Sequence, residues 1–130
     1  MTAWQIVQLV LRIALAIVFI GMGISHFRRA PSRTMAAMIP PRLRFDGPLR
    51  PTVLVAVTGV CEIAGGIGLL VPAVSLAAGI CLAVFLIAVF PANAYAAGNR
   101  DRFGALAIPL VPRLIGQVVL IALCVIAVLP

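Results

Sequence analysis

The chain has 130 residues, of which 64% are hydrophobic and only 10% charged, and ten basic against three acidic side chains leave it at +7. A soluble domain of this size has too little interior to hide that much apolar surface, so the composition excludes an ordinary water-soluble protein and makes a bilayer the natural solvent. Nucleic acid is excluded too: every basic residue is Arg, six of the ten lie between Arg28 and Arg50, and none belongs to a motif interleaved with stacking aromatics.

About 20 apolar residues are needed to cross a hydrocarbon layer of about 30 Å. Taken in chain order, four stretches meet that requirement: about 4–27, 52–71, 74–96 and 104–129. The expected fold is all-α, a single membrane domain over 1–130 built as a four-transmembrane-helix bundle. The first stretch is expected to be a retained helix rather than a cleaved leader, because it lacks a basic start and is interrupted by Arg12.

The basic loop 28–51 follows the first span. Within it SRTMAAMIPP offers Ser32 as an N-cap, Met35, Met38 and Ile39 at helical spacing, and a stop at Pro40 and Pro41. These features predict a short interfacial amphipathic helix whose Met and Ile face dips into the acyl boundary while Arg28, Arg29, Arg33, Arg42 and Arg44 meet lipid head groups. The turn VPAVS between the second and third spans has no charge, whereas the loop after the third carries Arg100 and Arg102. The positive-inside rule therefore places both basic loops in the cytoplasm and both termini outside a bacterial plasma (inner) membrane.

The polar groups inside these spans carry what chemistry there is. Glu62 lies in LVAVTGVCEIAGGIGLLV, a stretch otherwise without charge. Ionised and alone at that depth it would cost about 2.5–3.5 kcal/mol, so it needs a partner or a proton. Gly59 and Gly66 flank it at i−3 and i+4, which lets another helix backbone come close and turns Glu62 toward the bundle. In the first span Gln5, Gln8, Arg12, Phe19, Gly23 and His26 form one stripe. Counting depth from the span ends makes Arg12 the expected counter-ion of Glu62, with Arg113 on the fourth span as its competitor. His26, Asn93 and Tyr95 end their spans on one side and are expected at a shared cavity mouth. Gln117 is given no role. Pro91, Pro109 and Pro112 are expected to free backbone carbonyls.

Cys61, Cys81 and Cys124 form no CxxC pair and have no His nearby, so neither a metal site nor a dithiol motif is written here. They read as packing residues, with a Cys81–Cys124 bridge geometrically conceivable. No catalytic residue is expected, since no nucleophile and base, and no metal set, can be assembled.

The ordered pieces LRIALAIVFIGMGISHF, MIPP, TGVCEIAGGIGLLVP and FPAN resemble the DoxX-like small membrane proteins. The matching positions are Arg12, Phe19, Gly23, His26, Phe27, Gly59, Glu62, Gly66, Pro91 and Asn93. The resemblance implies a four-helix integral membrane protein that accompanies redox enzymes and assigns no catalytic residue. Together with the buried polar spot it leads to the expectation of an accessory or anchoring subunit of a quinone-linked redox complex. Such a subunit would have no covalent cofactor, and its cavity would suit a quinone or a lipid. The alternative is a small carrier or binding protein for a lipophilic or weakly acidic solute, with Glu62 as the proton site.

Overall fold

A computed structural model describes residues 1–103 and 108–130. Among them the regular structure is all helical: α1 (Ala3–Ser25), α2 (Arg29–Met38), α3 (Pro51–Leu69), α4 (Ser75–Ala97), α5 (Arg100–Phe103) and α6 (Leu110–Ile126), with short 3₁₀ turns at Pro41–Leu43 and Gly47–Leu49. Three of these, α1, α3 and α4, are long and apolar enough to cross a membrane, and α6 is a shorter apolar helix. Large apolar side chains such as Val10, Ile17, Val60, Val84, Ile87 and Val111 point outward, as a lipid-facing surface requires.

Local chemistry sets the helix ends. Thr2 and Gln5 form a reciprocal capping box that starts α1, the Thr2 hydroxyl accepting from the Gln5 amide at 3.1 Å and Gln5 Oε1 accepting from the Thr2 amide at 2.8 Å. Proline is tolerated in a first turn because the amide it lacks would be unpaired there. Pro51 accordingly opens α3, and Pro109 and Pro112 stand at the N-cap and in the first turn of α6. These two prolines therefore free no carbonyl, contrary to expectation. Residues 104–107, where the fourth span was expected to begin, lie outside the described residues.

A short helix does occupy the loop, but it starts three residues earlier than Ser32 and is capped differently. Pro31 fits its first turn, Arg28 is the N-cap, and Ser32 sits inside it, its amide donating to Arg28 O at 2.9 Å. Its C-terminal carbonyls are closed by Arg44, which folds back to donate to Ile39 O at 2.8 Å and Ala37 O at 2.9 Å. A cation at that end also suits the helix dipole. Met38 is buried in a small cluster with Ala96 and Phe103, flanked by Ala37 and Tyr95. The apolar face of α2 thus covers the ends of α3 and α4 instead of meeting only acyl chains.

The helices run up and down, and the glycines fix their register. A Cβ on Gly23 would lie 2.8 Å from Gly59 O, one on Gly59 2.7 Å from His26 Cβ, and one on Gly66 3.3 Å from Ala16 O. The α1 and α3 backbones therefore touch along an antiparallel seam that no larger residue would allow. Gly65 receives Leu82 and Gly79 receives Cys124 and Val128, which seats α4 on α3 and α6 on α4. Leu15, Phe19, Leu69, Leu82, Leu86, Cys124 and Ala127 form the core between them. The three cysteines are unpaired, with Cys81 exposed and Cys124 buried, so the conceivable bridge between them is not formed.

Candidate functional site: a cavity with a buried His26–Glu62 pair

The seam puts Gly23 against Gly59 and Ile63, and Ala16 against Gly66, so Glu62 stands level with about Met22 near the C-terminal end of α1. Its ion-pair partner is His26, whose Nε2 lies 2.9 Å from Glu62 Oε2. Neither arginine expected as the counter-ion takes this place. Arg12 is ten residues from Met22 along α1, about 15 Å at 1.5 Å per residue, and sits level with the end of α3. Arg113 is held elsewhere, donating from Nη1 to Asn93 Oδ1 at 2.8 Å and from Nε to Ile108 O at 3.3 Å. Depth counted from each span's end misplaces Arg12 because α1 and α3 are staggered, not flush.

The hydrogen bonds around the imidazole assign its protons. Nδ1 lies 2.9 Å from Val55 O and 3.0 Å from Thr58 Oγ1. A carbonyl cannot donate, and the Thr58 hydroxyl donates its own hydrogen to Val55 O at 2.8 Å. Both neighbours are acceptors, so Nδ1 carries the hydrogen. One further proton then has to lie between Nε2 and Oε2, whichever atom it is drawn on. The pair is neutral as a whole, which answers how a carboxylate can be kept in an apolar segment. Among the described residues Oε2 has no hydrogen-bonding alternative to this imidazole.

Beside the pair is a cavity of about 510 Å³ between α1, α3, α4 and α6, closed at one end by α2 and the turn after it. Phe19, Met22, Leu54, Leu86 and Val89 supply an apolar lining, Met35, Met38 and Ile39 the cover, and His26, Thr58, Glu62, Asn93 and Arg113 the polar points. Of the three residues expected at a mouth, His26 and Asn93 line this space. Tyr95 does not: its ring packs edge-on to Phe103 at 6.0 Å beneath α2, with the Arg44 guanidinium 5.9 Å from its centroid. Arg28, Arg29, Arg33 and Arg42 are exposed at the α2 end of the molecule, while Arg44, also exposed, is engaged as the cap described above.

Two residues act where the pattern gave little warning. Gln117 Nε2 donates to Leu86 O at 2.7 Å, joining α6 to α4 next to the Ile87 carbonyl that Pro91 leaves without its helical donor. Gln8 Nε2 donates to the carbonyls of Ile126 and Leu129, closing the end of α6. Glutamine in an apolar helix is itself the signal, since its amide needs a partner there. Among the described residues no three His, Cys, Asp or Glu side chains gather as a metal site.

A family model described as a domain of unknown function, DUF8561, matches residues 15–128. The chain belongs to that family. No curated protein and no solved structure matches it.

Proposed function

We propose that the protein is an integral membrane protein of four spans, α6 serving as the fourth, that holds one lipophilic molecule in the cavity beside His26 and Glu62. The volume lies within the about 300–1,000 Å³ usual for ligand sites, and an apolar lining with a few fixed polar groups is how such sites secure orientation. The observation that carries this reading is the neutral His26–Glu62 pair on the cavity wall. It presents hydrogen-bonding atoms to a ligand without leaving an uncompensated charge in an apolar space. Asn93 adds a second point: with Oδ1 engaged by Arg113, its amide NH₂ is the part left to meet a ligand. A quinone or a lipid has the required long apolar body and hydrogen-bonding head.

The role of such a protein would be that of an accessory or anchoring subunit, supported by the DoxX-like pieces and by a broad outward apolar surface. In a bacterial plasma membrane its arginine-rich α2 end would face the cytoplasm and anionic head groups. Gentle purification from the native membrane tests both parts. Organic extraction should release about one quinone or lipid per chain, and redox subunits should accompany it. A preparation free of any lipophile would refute the ligand site, and one free of redox partners would refute the accessory role.

The shared proton between His26 and Glu62 favours a second reading, a carrier for a lipophilic weak acid. A Glu62→Gln variant separates the two. It abolishes pH-dependent uptake into vesicles in a carrier, whereas in a holding subunit it lowers ligand retention and no such uptake exists to lose.

A further inference from the structure

Arg12 is the one charged residue of α1, a 23-residue helix of high hydropathy, and it takes no part in the His26–Glu62 cavity. Its Nε is buried without a hydrogen-bond partner, while the residue as a whole is partly exposed, so the outer end of the guanidinium is what remains accessible. None of the chain's three acidic side chains pairs with Arg12. Glu62 is paired with His26, and Asp46 and Asp101 are exposed at the far end with α2 and α5. A guanidinium in such surroundings calls for an oxyanion from outside the chain.

The position narrows the choice. Arg12 lies on the inward face of α1 that carries Gln8, Leu15, Ala16 and Phe19, all buried, whereas Val10, Ile13, Ile17 and Val18 occupy the outer face. A partner helix docked on that outer face would meet apolar side chains and not Arg12. Arg12 also stands level with the turn from Leu70 to Val74, whose residues are exposed. Side chains of a helix lean toward its N-terminus, which aims the guanidinium out of the apolar segment. That is the approach a head group takes when an arginine draws it inward with local thinning of the bilayer.

We propose that Arg12 binds a phosphate oxyanion, that of one phospholipid seated over the α3–α4 turn, through its terminal amino groups. The planar guanidinium matches two phosphate oxygens, a fit that an ammonium lacks. The site is separate from the cavity and does not depend on what the cavity holds.

The test is native mass spectrometry of the full chain reconstituted with phosphatidylglycerol. Wild type is expected to keep one phosphatidylglycerol under activation that strips other lipids. Arg12→Gln should lose it with roughly tenfold lower retention, the scale of a charge-assisted contact, and Arg12→Lys should fall between. Arg50→Gln, at an exposed arginine of the opposite end, should keep it. Inorganic phosphate distinguishes the sources. Displacement of the lipid by millimolar phosphate would assign the site to the free ion, and failure to displace it assigns the site to the phospholipid. Equal retention by wild type and Arg12→Gln overturns the proposal. So does a co-purifying protein, in place of a lipid, that only wild type holds. Should Arg12→Gln not fold, wild type alone decides: equal retention of phosphatidylglycerol and of a diacylglycerol with the same chains, which lacks the phosphate, would overturn it.

Discussion

The α1–α3 seam and the cavity beside it are built on opposite rules, although they share His26 and Glu62. Along the seam, glycines bring two backbones together until a single added Cβ would collide at Gly23, Gly59 and Gly66. In the cavity, a few ångströms away, about 510 Å³ is left unfilled and α2 is laid across the end. The contrast teaches that the tight seam serves the open space. Only backbones in contact bring an imidazole at the end of α1 within 2.9 Å of a carboxylate on α3, and only a pair that satisfies itself can face an apolar cavity without a large desolvation cost.

The strongest way to break this contrast is to remove one member of the pair. Glu62→Leu should destabilise the protein by about 3–5 kcal/mol, the scale of a buried pair broken on one side, because it strands a polar imidazole. His26→Leu combined with Glu62→Leu should recover much of that loss, as apolar replacement of a whole buried pair often does. A double-mutant cycle read from unfolding in detergent would show the recovery as a coupling energy, and simple additivity would contradict the pairing.

The seam itself comes next. Gly59→Ala forces a Cβ to within 2.7 Å of His26 Cβ and 2.9 Å of the Phe27 ring, and should cost about 1–3 kcal/mol by overpacking. Gly116 has nothing within 4 Å of an added Cβ. Gly116→Ala should therefore be neutral or slightly stabilising, since alanine is the better helix former. Equal effects at the two glycines, measured by thermal unfolding, would show that the seam is not a tight contact.

Smaller effects should come from the groups that frame the cavity. Gln117→Leu removes one hydrogen bond to Leu86 O and should cost about 1 kcal/mol. Arg44→Gln takes away the cation that closes α2 and should cost about 0.3–1 kcal/mol, while making the α2 cover easier to open. Faster labelling of a cysteine placed at Met38 would report that opening. Arg28→Gln, on an exposed side chain that makes no capping hydrogen bond to α2, should fall within about 0.5 kcal/mol of wild type.

Much of this architecture can be read in the amino acids themselves. Continuous apolar runs locate α1, α3 and α4 to within two residues at each end, because hydropathy over twenty positions dominates any local preference. Gly59 and Gly66 beside Glu62 mark the face that meets another helix. Axial register is another matter. Hydropathy says where a helix lies in lipid but not how far one slides past its neighbour, and a slide of about ten residues along α1 hands Glu62 to His26 instead of Arg12. The cover formed by α2 is equally hidden, since Met35 and Met38 at helical spacing serve an acyl boundary and a protein cavity alike. Arg44 as a cap and Gln117 as a bridge depend on carbonyls left open elsewhere in the fold, which no local pattern announces.

The most direct test of the central claim is nitrogen NMR of the His26 side chain in the reconstituted protein. Protonated Nδ1 together with an Nε2 resonance displaced by strong hydrogen bonding, and relaxing toward ordinary imidazole in Glu62→Gln, is the predicted result. An Nδ1 without hydrogen, or an Nε2 resonance indifferent to the Glu62→Gln change, would contradict it.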